Sequence, residues 1–282
     1  MNRWNILYRG PLSSCNYSCS YCPFAKTKNT RQELLYDAEC LERFVEWVES
    51  RREPIGILFT PWGEALIHRH YQAALQRLSQ QEHVVRLSAQ TNLSCGLEWL
   101  DSCCRDTVKL WTTYHPTQMS QGDFLAQCRR MDAMGFEYSV GVVGFKHEFE
   151  AVRDLRRKLP PHIYLWINAY KREQDYYTPQ DLERFSRIDP HFSWNTRYHK
   201  SMGKSCLAGH TSFSVDGKGD VRRCHFIDAV LGNLYDGSFE RVLRPRPCTN
   251  QTCGCHIGYV YLEELSLRDL YGEGILERIP RV

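Results

Sequence analysis

The sequence predicts an α/β fold: an incomplete parallel barrel, a partial (β/α)6 barrel, over residues 1–190, then a small cysteine-rich hairpin unit over residues 191–282. Three observations predict it. Short β-rich runs alternate with amphipathic stretches, the pattern of a parallel sheet covered by helices. After the first gap the strand starts Ile55, Val84, Val108, Tyr138 and Ile163 fall 24 to 30 residues apart, one strand–helix unit each. Beyond about residue 190 that rhythm stops, and Gly, Cys and turn signals replace it. Six units are too few for the closed eight-fold barrel, but ligands are expected at the same place, the C-terminal ends of the strands.

The strands are expected at Asn5–Tyr8, Ile55–Phe59, Val84–Thr91, Val108–Tyr114, Tyr138–Val143 and Ile163–Ala169. Helices are expected at Asp37–Ser50, His68–Gln80, Leu97–Cys104, Gln121–Met134, His147–Leu159 and Pro179–Ser186. Asp37, Ser120 and Thr178 stand where an N-terminal cap is needed, and Pro179 suits a first turn. Gly135 suits a helix stop. In the second unit, Asp216-Gly217 within Ser214–Val221 reads as the turn of a β-hairpin.

Composition narrows the function classes. The chain has 282 residues, 42% hydrophobic and 24% charged, with a net charge of +3. No strong field argues for nucleic acid or a membrane surface. No apolar run approaches the roughly 20 residues of a membrane span, and Met1–Gly10 has no apolar signal-peptide core. Thirteen cysteines are too few for a disulfide scaffold of this length, and the number is odd. The expected compartment is the cytoplasm, where thiols stay reduced and clustered cysteines bind metal.

Two cysteine constellations stand out. Cys15, Cys19 and Cys22 follow the first strand as Cys-x3-Cys-x2-Cys, with Tyr21 before the last cysteine. Soft thiolates from one loop suit an iron–sulfur cluster or zinc. Cys206, Cys224, Cys248, Cys253 and Cys255 form the second set, around the predicted hairpin. Cys40, Cys95, Cys103, Cys104 and Cys128 lie in or beside predicted helices and read as core.

The first motif resembles the signature of the radical S-adenosylmethionine (SAM) superfamily. The segment Ile55–Glu64, ending in Trp62-Gly63-Glu64, is similar to that family's Gly-Gly-Glu strand end, with Trp62 in place of the first glycine. The resemblance implies a fold of the radical SAM type. It implies a [4Fe-4S] cluster on Cys15, Cys19 and Cys22 with one iron open to SAM. It places SAM against the backbone of Trp62, Gly63 and Glu64, with further contacts from Tyr21, Asn92, Thr113, His115, Val142 and Asn168 at successive strand ends.

The C-terminal set resembles the SPASM/twitch extension of radical SAM enzymes. That resemblance implies one auxiliary [4Fe-4S] cluster in residues 191–282, held by four of Cys206, Cys224, Cys248, Cys253 and Cys255. Gly254 separates the last two, and Cys255 is the rival to Cys253 for the fourth place. The implied activity is reductive cleavage of SAM to a 5′-deoxyadenosyl radical and hydrogen abstraction from a substrate, a peptide or protein or a small molecule. The reaction is oxidoreductase-like, and a flavodoxin or ferredoxin is the implied reductant. Two other readings stay open: a single-cluster enzyme with a zinc-stapled tail, and an iron–sulfur electron carrier without catalysis.

Overall fold

The computed structural model describes residues 3–281. Six parallel strands run in chain order: β1 (Trp4–Arg9), β2 (Ile55–Phe59), β3 (Val84–Thr91), β4 (Val108–Thr113), β5 (Tyr138–Val143) and β6 (Leu165–Asn168). Between them lie α1 (Arg31–Glu49), α2 (Arg69–Leu78), α3 (Gln121–Met134) and α4 (Phe149–Lys158), and α5 (Pro179–Ser186) follows β6. The α/β class and the incomplete parallel barrel stand as expected.

Side chains alternate across the strands, as the pleat requires. Ile6, Tyr8, Ile57, Phe59, Val140, Val142 and Ile167 face the helices and share one core with Phe44, Val48, Leu75 and Phe124. Burying each such side chain contributes about 1.5–3 kcal/mol. Leu7, Leu58, Trp111 and Trp166 face the other way, into the barrel.

Two helices differ from expectation. α1 begins at Arg31, not after Asp37, because Thr30 and Glu33 close a reciprocal capping box. Asp37 is instead a buried residue of the helix, accepting from Leu12 N (3.0 Å), His70 Nε2 (2.9 Å) and Tyr71 Oη (3.2 Å). It ties the loop after β1 to α1 and α2. The helix expected over Leu97–Cys104 is only a 3-10 turn, Glu98–Ser102, that buries Trp99 and Leu100. The caps at Ser120 and Thr178, and left-handed Gly135 (φ 75°), are as predicted.

After α5 come α6 (Phe192–Asn195), β7 (His199–Lys200) and β8 (Ser205–Cys206). The predicted hairpin is β9 (Ser212–Asp216) and β10 (Asp220–Arg222), with β11 (Val230–Asn233) beside it. Asp216 Oδ1 accepts from Lys218 N and Asp220 N, and Gly219 takes φ 84°. This hairpin is not a separate sheet. β9 lies parallel to β1, so one nine-stranded sheet runs β11-β10-β9-β1-β2-β3-β4-β5-β6. Then β12 (Arg246–Pro247) pairs β8, β13 (Thr252–Cys253) pairs β7, and α7 (His256–Tyr259) and α8 (Leu267–Tyr271) follow.

The tail fills the barrel from its N-terminal end. Ser139 Oγ donates to Glu277 O at 2.7 Å, Arg281 bridges to Glu137, and Arg3 pairs with Glu273. The guanidinium of buried Arg278 sits 4.2 Å from the Trp166 ring centre and 5.6 Å from that of Trp111. Tail and barrel therefore share one packed interior.

Gly141 lies under Trp166, where a Cβ would come 1.9 Å from the indole. Gly141→Ala must push Trp166 off Trp111 and Arg278. It should lower the unfolding free energy by about 1–3 kcal/mol in chemical denaturation, the usual range for overpacking. An unchanged midpoint would show that this layer is loosely packed.

Candidate active site

The loop after β1 carries Cys15, Cys19 and Cys22 over the C-terminal ends of β2, β3 and β4. Its course is set by backbone pairing with the end of β2. Trp62 N donates to Leu12 O (3.2 Å) and Glu64 N to Ser14 O (3.0 Å). Asn29 Oδ1 accepts from both Ser13 N and Ser14 N at 2.8 Å, closing the loop from its far side. Gly63 is the closest approach: a Cβ there would lie 1.9 Å from Ser14 O. Glycine is required here because two backbones meet, whatever else approaches the turn.

Glu64 carries the tie onward. Its buried carboxylate accepts from Asn92 N (2.6 Å), Thr91 Oγ1 (2.7 Å) and Leu66 N (3.1 Å). Burial pushes its pKa up to about 7, against the pull of those three donors. The Glu64 side chain thus braces β2 to β3, and only its backbone is left to face a ligand. Asn92 in turn reaches Asn16 Oδ1 (3.0 Å) and Cys15 Sγ (3.7 Å). Trp62 is half exposed, against Phe24 (5.5 Å) and the Arg9 guanidinium (5.8 Å).

His115, just past β4, meets the same loop. Its Nδ1 lies 2.8 Å from Tyr21 Oη and 3.5 Å from Cys19 Sγ. Burial lowers its pKa to about 4, so the ring is neutral. Tyr21 also packs edge-on against Phe145 at 5.3 Å. The Cys15 thiol is pushed up to about 11, first by burial. Thr113 and Asn168 end β4 and β6 on the inward side, in phase with Trp111 and Trp166, and Asn168 is exposed. The Val142 side chain points away from the mouth. It shares the strand parity of Val140 and is buried against the helices, so only its backbone can reach the mouth.

The second cysteine set also assembles. Cys206, Cys224 and Cys248 are buried in the barrel-side apolar cluster, with Cys253 packed against it. Pairing of β8 with β12 and of β7 with β13 lays residues 199–206 against 246–253, and Cys248 N donates to Lys204 O at 2.8 Å. Burial raises the Cys224 thiol to about 11 and that of Cys253 to about 12, and the neighbouring cysteines add to both. Buried Arg223 lies beside them and donates to Pro247 O and Arg246 O. Cys255 is exposed and stands outside this cluster.

The donor sets suit the implied groups. Each is thiolate-rich with no carboxylate among the ligands, and Arg223 supplies a positive charge next to the second. Among the described residues no three His, Cys, Asp or Glu side chains converge on one point, as a single ion requires. A four-iron cluster takes each cysteine on a different iron and asks for a wider spread. No helix of the described residues is long and apolar enough to cross a membrane. Sequence reasoning took Asp37 for a cap and assigned no role to Asn16, Asn29 or Arg223, because their roles come from distant partners.

Glu64→Gln puts an amide nitrogen where the carboxylate accepts only donors. It should lower stability at pH 7 by about 1–3 kcal/mol. The pH dependence has a defined sign. With the folded pKa above the unfolded 4.5, the protonated form favours the fold; that stabilisation is complete below pH 4.5 and is lost as pH rises through about 7. Urea titrations should show this decline in the wild type and a flatter profile in Glu64→Gln. Identical profiles would mean that Glu64 titrates normally.

No protein-family model matches the sequence, and neither does any curated protein. Solved structures do match. The native structure of anSMEcpe, an anaerobic sulfatase-maturating radical SAM enzyme, with bound AdoMet (SAM) aligns over 94% of this chain and 84% of its own, at 16% identity and a TM-score of 0.58. The same enzyme with AdoMet and the Kp18Cys peptide aligns over 88% and 81%, at 16% identity and a TM-score of 0.59. With AdoMet and the Cp18Cys peptide the figures are 94%, 83%, 16% and 0.58. The identity is low and the coverage nearly complete, so what the chains share is the fold: this chain has the radical SAM type of incomplete barrel.

Proposed function

We propose that the chain is a radical SAM enzyme that modifies a peptide or protein with the help of one auxiliary cluster. The observation that carries the reading is the Cys15–Cys22 loop held, backbone to backbone, on the glycine turn at the end of β2. A reduced [4Fe-4S] cluster with SAM supplies a 5′-deoxyadenosyl radical able to take hydrogen from an unactivated C–H bond, and an auxiliary cluster supplies an electron acceptor.

The chain's own residues do the rest. Cys15, Cys19 and Cys22 hold the first cluster. The N–H groups of Trp62 and Glu64 are committed to the cysteine loop, so the turn offers carbonyl oxygen to the SAM ammonium. Asn92, Thr113, the backbone at Val142 and Asn168 line the strand ends beside it. Neutral His115, receiving the Tyr21 hydroxyl on Nδ1, presents Nε2 as a donor. The tail closes the far end of the barrel and keeps bulk water from the radical. Cys206, Cys224, Cys248 and Cys253 hold the auxiliary cluster, and residues 191–282 act as a twitch-type unit. A peptide substrate is favoured because the anSMEcpe structures of the same fold hold peptides. A flavodoxin or ferredoxin would deliver the electron, in the cytoplasm.

Anaerobically reconstituted, dithionite-reduced protein should form 5′-deoxyadenosine from SAM and contain about eight iron atoms, as two cubanes. Replacing Cys15, Cys19 and Cys22 by Ala should abolish cleavage and leave about four irons. Replacing Cys206 and Cys224 as well should remove those. Cleavage by the triple variant would contradict the assignment, and a triple variant with zinc and no iron would mean a zinc-stapled tail. Gly63→Val should cost both SAM binding and iron, since its side chain strikes Ser14.

A further inference from the structure

Arg223 follows β10 directly and precedes Cys224, and only 4% of it is exposed. Three chain segments that carry cysteines of the second set meet at this residue. Its own backbone leads into Cys224. Its Nη1 donates to the carbonyl of Pro247, the residue bonded to Cys248, and its Nη2 to the carbonyl of Arg246 at 3.2 Å. Arg246 is the strand partner of Cys206. The stem rests on the segment that follows Cys206, where a Cβ on Gly209 would lie 2.8 Å from Arg223 Cβ. Gly209 takes φ 86°, so a turn that favours glycine makes this close approach possible.

The guanidinium lacks an anion. Arg222, one residue earlier, pairs with Asp216 at 2.7 Å and reaches Asp220 at 3.9 Å, whereas Arg223 pairs with no carboxylate among the described residues. Its Nε is buried with no hydrogen-bond partner among them either. The other arginine buried to this degree, Arg278, lies over the faces of Trp111 and Trp166. Arg223 has neutral carbonyls in place of those rings, and neutral carbonyls do not offset a buried charge. The groups left to balance it are Cys206, Cys224 and Cys248, which share one buried cluster. As thiols they carry no charge; as ligands of a metal centre they are thiolates. A [4Fe-4S] cluster on four thiolates carries two negative charges when oxidised and three when reduced. A fixed positive charge beside it therefore favours the reduced form.

We propose that Arg223 is the counter-ion of the auxiliary cluster: its guanidinium, with Nε–H to spare, stabilises the reduced form and so raises the cluster's reduction potential. Arg223 touches no substrate and acts through the cluster. The reaction class this favours is net oxidation. A substrate radical left by hydrogen abstraction gives one electron to the oxidised cluster and a proton to solvent. This deepens the proposed function and rests on its reading of residues 191–282 as a cluster-bearing unit.

The test uses the full chain with Cys15, Cys19 and Cys22 replaced by Ala, reconstituted anaerobically with iron and sulfide so that only the second cluster is present. Its midpoint potential is read by mediated redox titration followed by electron paramagnetic resonance. Arg223→Met should lower the reduced/oxidised ratio at a fixed applied potential about tenfold, equal to a fall of about 59 mV for a one-electron couple. Arg223→Lys keeps the charge and loses the fork to the two carbonyls; it should stay near the parent value. Equal potentials in the Met and Lys variants overturn the proposal, because the arginine would then only tie residues 246 and 247 to the hairpin. If Arg223→Met loses its iron, Arg223→Lys decides: a cluster kept at the parent potential supports the counter-ion, and loss of iron from both overturns it. Zinc without iron in the parent overturns the auxiliary-cluster reading and the proposal together. An iron cluster whose potential ignores Arg223 overturns the proposal alone.

Discussion

Ser14 and Gly63 touch through their backbones, and the positions of all three N-terminal cysteines follow from that contact. The loop after β1 has little secondary structure of its own between Gly10 and Thr30. It is fixed by two hydrogen bonds to the end of β2, by Asn29 and Asp37 on its far side, and by the absence of a side chain at residue 63. Glu64 extends the contact to β3, Asn92 returns it to Cys15, and His115 brings β4 to Cys19 and Tyr21. Four consecutive strand ends thus define one concave surface. Parallel strands make this possible because all their C-terminal ends lie on one side.

The other end of the barrel shows how an incomplete barrel avoids being a channel. The strands themselves put Leu7, Leu58, Trp111, Trp166 and Gly141 into the interior, too little to fill it. The C-terminal tail supplies the rest, including a buried arginine packed on indole faces instead of an acid. β9 joins the sheet beside β1 and buries its edge, which would otherwise stand open. The hairpin with Cys224 near its base is therefore positioned by the same strand that launches the first cysteine loop.

What the sequence revealed follows its local signals. β2, β3 and β5 were legible to the residue because they are short apolar runs between turn formers. α1 was read too short, because its exposed first turns look like loop and Asp37 imitates a cap, while the true cap, Thr30 with Glu33, lies seven residues earlier. Both cysteine sets stood out by spacing; in the fold Cys253 packs against the buried Cys206, Cys224 and Cys248, while Cys255 is exposed. The union of the hairpin with the barrel was not legible, since β1 and β9 are about 200 residues apart and parallel pairing leaves no turn between them.

The central claim is that the first cysteine loop presents a cluster to SAM. Electron paramagnetic resonance of dithionite-reduced protein carrying Cys206→Ala and Cys224→Ala isolates that cluster from the second. The account predicts a reduced [4Fe-4S] signal whose g-values shift when SAM is added. A signal indifferent to saturating SAM would contradict it.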